Sequence, residues 1–217
     1  MKKEKIKFII IDDHPVFREG LGQLINQDEE LLLIAEAGNA QEAFEQFENK
    51  EIDFAIVDIS LKGMDGIELI KCLKSKYSKL LILVVSMHDE SIYAVRALKA
   101  GAQGYIMKQE TSKKFIIAIK KVLSGKIYLS DEMQEKMFQI AIYKEKDDSK
   151  SSIENLSDRE FQVFQLIGNG LGVGEISKEL NISIKTVESY RSKLKEKLML
   201  KDANELRKQA INWFRNN

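Results

Sequence analysis

Residues 8–13 read Phe-Ile-Ile-Ile-Asp-Asp. A short apolar run rich in β-branched side chains matches a strand buried on both faces, and the two carboxylates mark where that strand reaches water. Similar runs follow at 31–35, 54–59, 80–85 and 104–107. Between them the apolar residues recur at helical spacing: Val16, Leu21, Leu24 and Ile25; Ala43, Phe44 and Phe47; Ile67, Leu69, Ile70 and Leu73; Ala94, Val95 and Leu98; Phe115, Ile116, Ile119, Val122 and Leu123. Five buried strands alternating with five helices predict an α/β domain over 1–124, a doubly wound five-stranded parallel sheet covered on both faces. Gly101 and Gly104 punctuate the fourth helix and the fifth strand.

The pattern changes after Leu123. Residues 125–152 read as a linker, with a possible helix over 130–143 capped by Ser130 or Asp131. Within the linker, 144–152 (Lys-Glu-Lys-Asp-Asp-Ser-Lys-Ser-Ser) has no apolar anchor and reads as a flexible tether. No strand pattern recurs from Leu156 onward. Ser157-Asp-Arg-Glu160 has the form of a capping box. Helices are predicted at about 158–168, 173–180, 184–198 and 202–215, a small all-α domain over 153–217.

The chain has 217 residues with 34 Lys plus Arg and 34 Asp plus Glu, so its net charge is zero. That balance excludes a uniformly basic nucleic-acid coat and an acidic disordered chain. The zero hides a mild asymmetry, because residues 151–217 carry 11 basic against 9 acidic groups and the preceding 150 carry 23 against 25. Apolar runs such as 80–85 are far short of the roughly 20 residues that a membrane helix needs. The charged start, MKKEKIKF, lacks the pattern of a secretory signal. The single Cys72 excludes an intrachain disulfide and a cysteine-based zinc site. A cytoplasmic protein without membrane insertion is expected, and Pro15, the only proline, leaves any linker flexible by polarity alone.

In a doubly wound sheet the functional crevice lies at the carboxyl ends of the strands. Here strand one ends at Asp12 and Asp13, strand three at Asp58, strand four at Ser86 and strand five at Lys108. Neighbouring carboxylates repel and need a countercharge. Hard oxygen donors suit Mg²⁺, and a carboxylate can also be a nucleophile that forms an aspartyl phosphate. Lys108 and Ser86 supply the cation and hydroxyl that phosphoryl oxygens need. Asp58, alone at the tip of the central strand, is the candidate nucleophile, with Asp12 and Asp13 as metal holders. Against this stands the plain alternative that polar residues simply follow buried strands. His14 and His88 lie near the acidic loops, but oxygen donors and a phosphoryl partner fit the set better than a transition metal.

In the second domain, Ile176 and Leu180 share one helix face, Asn181 suits a left-handed turn and Ser183 can cap the next helix. On that helix Val187, Tyr190, Leu194 and Leu198 fall on one side, with Arg191 at its margin; Lys185, Glu188, Ser189 and Ser192 fall opposite. Lys193, Lys195 and Lys197 occupy the flanks. Short polar side chains with basic flanks suit a helix in the major groove, the lysines and Arg191 contacting phosphates. A solvated lysine-rich helix in an ordinary bundle is the alternative.

Residues 6–123 resemble the receiver domain of bacterial two-component response regulators, which is flavodoxin-like. The similarity rests on Ile9-Ile-Ile-Asp-Asp-His-Pro15, Val57-Asp58-Ile-Ser-Leu-Lys-Gly-Met-Asp-Gly66, Val85-Ser86-Met-His-Asp89 and Lys99-Ala-Gly-Ala-Gln-Gly-Tyr-Ile-Met-Lys108. The resemblance implies that Asp58 accepts phosphate from a sensor histidine kinase. It implies Mg²⁺ on Asp12, Asp13, Asp58 and the backbone carbonyl of Ser60, with Lys108 and Ser86 on the phosphoryl group. Tyr105 matches the aromatic switch position. Residues 154–211 resemble the LuxR/NarL-type helix-turn-helix domain through Leu156-Ser-Asp-Arg-Glu160, Glu175-Ile-Ser177, Asn181-Ile-Ser183 and Lys185-Thr-Val187. Candidate DNA contacts are then Lys185, Thr186, Glu188, Ser189, Arg191, Ser192 and Lys193.

Several positions depart from the two patterns. Lys108 precedes Gln109 where many receivers have proline, Met87 stands where a small residue is common, and Glu188 and Tyr190 replace the usual Lys and His. Glu188 can accept from a cytosine amino group but cannot read guanine as lysine does. The resemblance implies a transcription regulator, not an enzyme, that binds double-stranded DNA as a homodimer on activation. Dimerisation is expected through the last helix at Leu206, Ala210 and Trp213. A phosphorylation-independent DNA-binding regulator that keeps the receiver as a dimerisation scaffold is the second reading. A metal-dependent phosphatase fits less well, because adjacent Asp12 and Asp13 do not form an Asp-x-Asp pattern.

Overall fold

The computed structural model describes residues 4–61, 63–143 and 153–216. They fall into two compact units, Met1–Tyr143 and Lys144–Asn217. In the first, strands β1 (Ile6–Ile11), β2 (Leu31–Ala37), β3 (Phe54–Asp58), β4 (Leu81–Ser86) and β5 (Gly104–Met107) alternate with five helices. These are α1 (Pro15–Asn26), α2 (Ala40–Asn49), α3 (Gly66–Lys76), α4 (Glu90–Ala100) and α5 (Ser112–Leu123). Every strand pairing is parallel, in the order β2-β1-β3-β4-β5. The doubly wound sheet expected from the alternation is therefore present.

The strand order reverses direction at β1, which lies between β2 and β3, so the crevice opens where β1 and β3 end. The register holds the strand tips level: Ile11 opposes Val57, Asp58 opposes Val85 and Ser86 opposes Met107. Every residue of β3 is buried. One core layer joins Phe8, Ile10, Phe54, Ile56, Leu83, Val85 and Ile106 of the sheet to Leu21, Ile25, Phe115, Ile119 and Val122 of α1 and α5. Val16 is not part of it. It is 84% exposed, because at about 100° per residue it lies opposite the buried Ile25 on α1.

The first unit runs beyond 124, where the sequence pattern placed its end. β5 is an edge strand, and its outer backbone groups need partners. Residues after α5 supply them: Tyr105 N donates to Tyr128 O (2.9 Å), Tyr128 N donates to Gln103 O (3.0 Å), and Gly104 and Tyr128 form a parallel bridge. Leu129 and Met133 are buried, and Ser130 N donates to Glu90 Oε1 at 2.9 Å. Helix α6 (Asp131–Tyr143) follows, capped by Ser130, whose hydroxyl accepts from Met133 N. Residues 125–143 thus belong to the first unit. The expected tether at 144–152 lies outside the described residues.

The second unit has a 3-10 turn at Ile153–Asn155 and helices α7 (Asp158–Gly168), α8 (Val173–Glu179), α9 (Ile184–Lys197) and α10 (Ala203–Asn216). The capping box forms: Ser157 N donates to Glu160 Oε2 (2.8 Å) and Ser157 Oγ accepts from Glu160 N. Asn181 takes the left-handed turn with φ 51°. Leu206 and Ala210 are fully buried, and Trp213 meets Phe161 and Phe164 edge-on at 5.6 and 6.1 Å. Leu206 and Ala210 are closed inside the unit, so the expected dimer contact through these two side chains is corrected, whereas Trp213 packs on α7 and stays half-exposed. Their apolar spacing reflects the inner face of α10. Among the described residues, no helix is long and apolar enough to cross a membrane.

Candidate functional site

At the carboxyl ends of the strands, Lys108 Nζ lies 2.6 Å from Asp12 Oδ2 and 2.8 Å from Asp58 Oδ2. All three side chains are almost fully buried. The ammonium also lies 4.8 Å above the centre of the Phe17 ring, whose face favours a cation. Asp13 and His14 complete a cluster with Asp12 and Asp58, whose potential ligand atoms all lie within 4.8 Å of one another. His14 is tied to it by its amide, which donates to Asp12 Oδ1 (2.8 Å), and by its Nδ1, 2.7 Å from Asp13 Oδ1. Burial pushes the Asp58 carboxyl above the ordinary carboxylate range, while the Lys108 ammonium pulls it back.

The remaining predicted residues connect to Asp58 through hydrogen bonds. Ser60 N donates to Asp58 Oδ1 (3.1 Å), and Ser60 Oγ lies 2.9 Å from His88 Nε2. His88 stacks on Tyr93 and donates its amide to Ser86 Oγ (3.1 Å). Its carbonyl accepts from the hydroxyl of Tyr105 at 2.7 Å. Burial lowers the His88 pKa and raises that of Tyr105 far above its usual value, so the phenol serves as a neutral donor. Tyr105 is fully buried, unlike an ordinary edge-strand tyrosine. In the turn after Lys108, where proline is absent, Glu110 N donates to Met107 O and Lys108 N donates to Ser86 O.

Some contributors have little local signal in the sequence. Gly66 opens α3 against the end of β3: a Cβ there would lie 2.1 Å from Asp58 O, so only glycine lets the helix start so close to the acceptor strand. Arg18 on α1 donates to the carbonyl of Asp12 and pins the loop that carries the carboxylates. The His88–Ser60 link also spans 28 residues of sequence. Met87 is 55% exposed and lines the cavity beside the site together with His14, Phe17 and Lys108.

On α9, the in-domain face is Val187, Leu194 and Leu198, all buried, with Tyr190 half-buried. Lys185, Glu188, Ser189, Ser192 and Lys193 are exposed. Ser183 Oγ accepts from Thr186 N (3.1 Å) and lies 2.8 Å from the Thr186 hydroxyl, so Thr186 is part of the helix cap. Arg191 is half-buried and donates to Glu188 Oε1 at 2.9 Å. Lys197, read from the sequence as a phosphate contact, is exposed and pairs with the buried Glu160 of the capping box at 2.7 Å.

Residues 8–120 match the family described as the response regulator receiver domain, and residues 154–210 match the luxR family of bacterial regulatory proteins. The chain is a two-component response regulator. Its second unit is a LuxR-type DNA-binding domain, which makes this response regulator a DNA-binding regulator of transcription. It is 30% identical over 211 residues to the oxygen regulatory protein NreC of Staphylococcus epidermidis, covering 95% of this chain and 97% of that one. Its fold is similar to that of RcsB from Salmonella enterica serovar Typhimurium bound to promoter rprA in the presence of the phosphomimetic BeF3-. That match has a TM-score of 0.68 at 25% identity and covers 94% of this chain and 98% of the other. It is also similar to the structure of two RcsB dimers bound to two parallel DNAs, with a TM-score of 0.58 at 26% identity, covering 94% and 97%.

Proposed function

We propose that this response regulator accepts a phosphoryl group on Asp58 from a sensor histidine kinase and binds double-stranded DNA as a homodimer when so activated. The observation that carries the reading is the Lys108 ammonium held between Asp12 and Asp58 at the switch point of the sheet. In the transfer, a carboxylate oxygen of Asp58 forms a bond to phosphorus as the phosphorus–nitrogen bond of the donor histidine breaks, and the nitrogen keeps the electron pair. Lys108, already aimed at Asp58, balances the charge on the phosphoryl oxygens. The Ser86 hydroxyl is a second donor for those oxygens, and Tyr105, bonded to the carbonyl of His88, follows the loop that carries Ser86.

The donor set fits Mg²⁺. Two carboxylates hold one ammonium and Asp13 adds a third to the cluster, and hard oxygens that carry excess negative charge favour a small divalent cation. Asp12, Asp13, Asp58 and the backbone carbonyl of Ser60 would hold it, and when bound it neutralises charge that develops on the transferred group. In the second unit, Lys185, Ser189, Ser192 and Lys193 face solvent on α9 and suit the major groove and its phosphates, with Glu188 and Arg191 beside them. The added charge on Asp58 shifts the chain toward its DNA-binding form.

The test is intact-mass measurement after incubation with acetyl phosphate and Mg²⁺, and again beside the cognate kinase. One phosphoryl adduct, lost in Asp58→Ala and on hydroxylamine treatment, is expected. No adduct in wild type with DNA binding intact would overturn the reading in favour of a phosphorylation-independent regulator.

A further inference from the structure

Among the described residues, Ile184 is one of nine large apolar side chains left open to water, and it is 59% exposed. It is the first residue of α9. That end of the helix is capped by Ser183, whose Oγ accepts from Thr186 N at 3.1 Å. The interior of the domain is closed by Val187, Leu194 and Leu198 from the same helix, so folding does not need an apolar group at 184. An apolar residue at this place has a use if it meets an apolar group on DNA. In the major groove such a group is the C5-methyl of thymine.

The neighbours of Ile184 sharpen this. At about 100° per residue, Ile184 and Glu188 lie one turn apart on one side of α9. Glu188 is exposed, and its Oε1 is held by Arg191 at 2.9 Å. The guanidinium offsets the carboxylate's repulsion of phosphates, and a carboxylate accepts at both oxygens, so one stays available for a base amino group. The first turn of a recognition helix is the part that reaches base edges. Ile184 therefore stands with an oriented acceptor at the end of α9 that meets the bases.

We propose that Ile184 is a specificity residue that packs on the C5-methyl of a thymine in each half-site, next to the base pair faced by Glu188. The proposal rests on the reading that α9 enters the major groove. It does not depend on which promoter is the natural target.

The test uses the full-length protein activated with beryllofluoride and Mg²⁺. A randomised duplex library is selected, and the recovered site is resynthesised with deoxyuridine at each thymine in turn, which removes only the methyl group. At one thymine per half-site, deoxyuridine should weaken wild type about fourfold, the cost of one lost buried methyl. The same change should leave Ile184→Ala unaffected. Ile184→Leu should keep the sensitivity, which shows that the helix end is intact. If no thymine is sensitive in wild type, or if Ile184→Ala responds equally, the assignment of Ile184 is overturned while DNA reading by α9 stands. If no sequence is enriched at all, DNA reading by α9 fails, and the Ile184 assignment falls with it.

Discussion

Lys108 donates to Asp58 Oδ2 at 2.8 Å across 50 residues of sequence. The ammonium thus occupies carboxylate oxygens that a divalent cation also needs, since its second partner is Asp12 Oδ2 at 2.6 Å. If Mg²⁺ binds as proposed, Lys108 would share part of that donor set with it, and phosphoryl oxygens on Asp58 would give Lys108 a further partner.

Lys108→Met should therefore tighten Mg²⁺ binding to the unphosphorylated protein by about tenfold, since one nearby positive charge is removed. The same variant should accept phosphate from acetyl phosphate more slowly, because the Lys108 ammonium no longer balances part of the incoming charge. Calorimetric titration with Mg²⁺ and intact-mass time courses measure the two effects. Affinity that is unchanged or weaker in Lys108→Met would show that the ammonium does not compete.

The parts of the molecule that were legible in the sequence share one property: their cause is local. A run of β-branched residues ending in Asp58 encodes both a buried strand and the group at its tip. Ser157 and Glu160 announce the capping box because they are three residues apart. The rest depends on position in the sheet or on distant partners. Tyr128 joins β5 only because β5 is the edge strand, which periodicity does not reveal. The apolar spacing of Leu206, Ala210 and Trp213 has the same form whether the face covers its own core or a second copy. The pairing of Lys197 with Glu160 crosses 37 residues, so a helical wheel places the lysine correctly at the surface but does not reveal its partner.

Leu206→Ala should destabilise the second unit by about 2–5 kcal/mol, the usual result of emptying a buried leucine site. Leu206 is fully buried. Trp213, the only tryptophan, packs on Phe161 and Phe164 and reports this unit by its emission. Urea titration of the full-length protein should show the Trp213 transition at lower urea in the variant. An unchanged transition together with lost dimerisation would restore these residues to an interface.

The Glu160–Lys197 pair predicts a stability that depends on pH. Burial alone would raise the Glu160 pKa, but hydrogen bonds from Lys197 and Ser157 outweigh it and hold the carboxyl below its usual value. A carboxyl depressed on folding adds stability above its unfolded pKa, near 4.5, and that stability is lost as pH falls through the lower folded value. Glu160→Gln should melt earlier than wild type at pH 7 by Trp213 emission, and the gap should close as the pH is lowered below about 4. A gap that stays constant down to that pH would assign the loss to packing.

Lys193→Ala separates positioning from reading on α9. Lys193 is exposed and its ammonium lies 5.9 Å from the centre of the Tyr190 ring, so the ring steadies the long side chain along the helix. A lysine on the flank of the base-facing side meets phosphate, and each phosphate contact releases counterions when it forms. The variant should bind all duplex sequences more weakly, with an unchanged consensus. The slope of log affinity against log salt should fall in magnitude by about 1. Fluorescence anisotropy on the selected site and on a scrambled duplex, each over a salt series, measures both quantities. A shifted consensus with an unchanged slope would place Lys193 on a base, and the polar stripe from Lys185 to Ser192 would then need to be rotated about the helix axis to bring residue 193 to its centre.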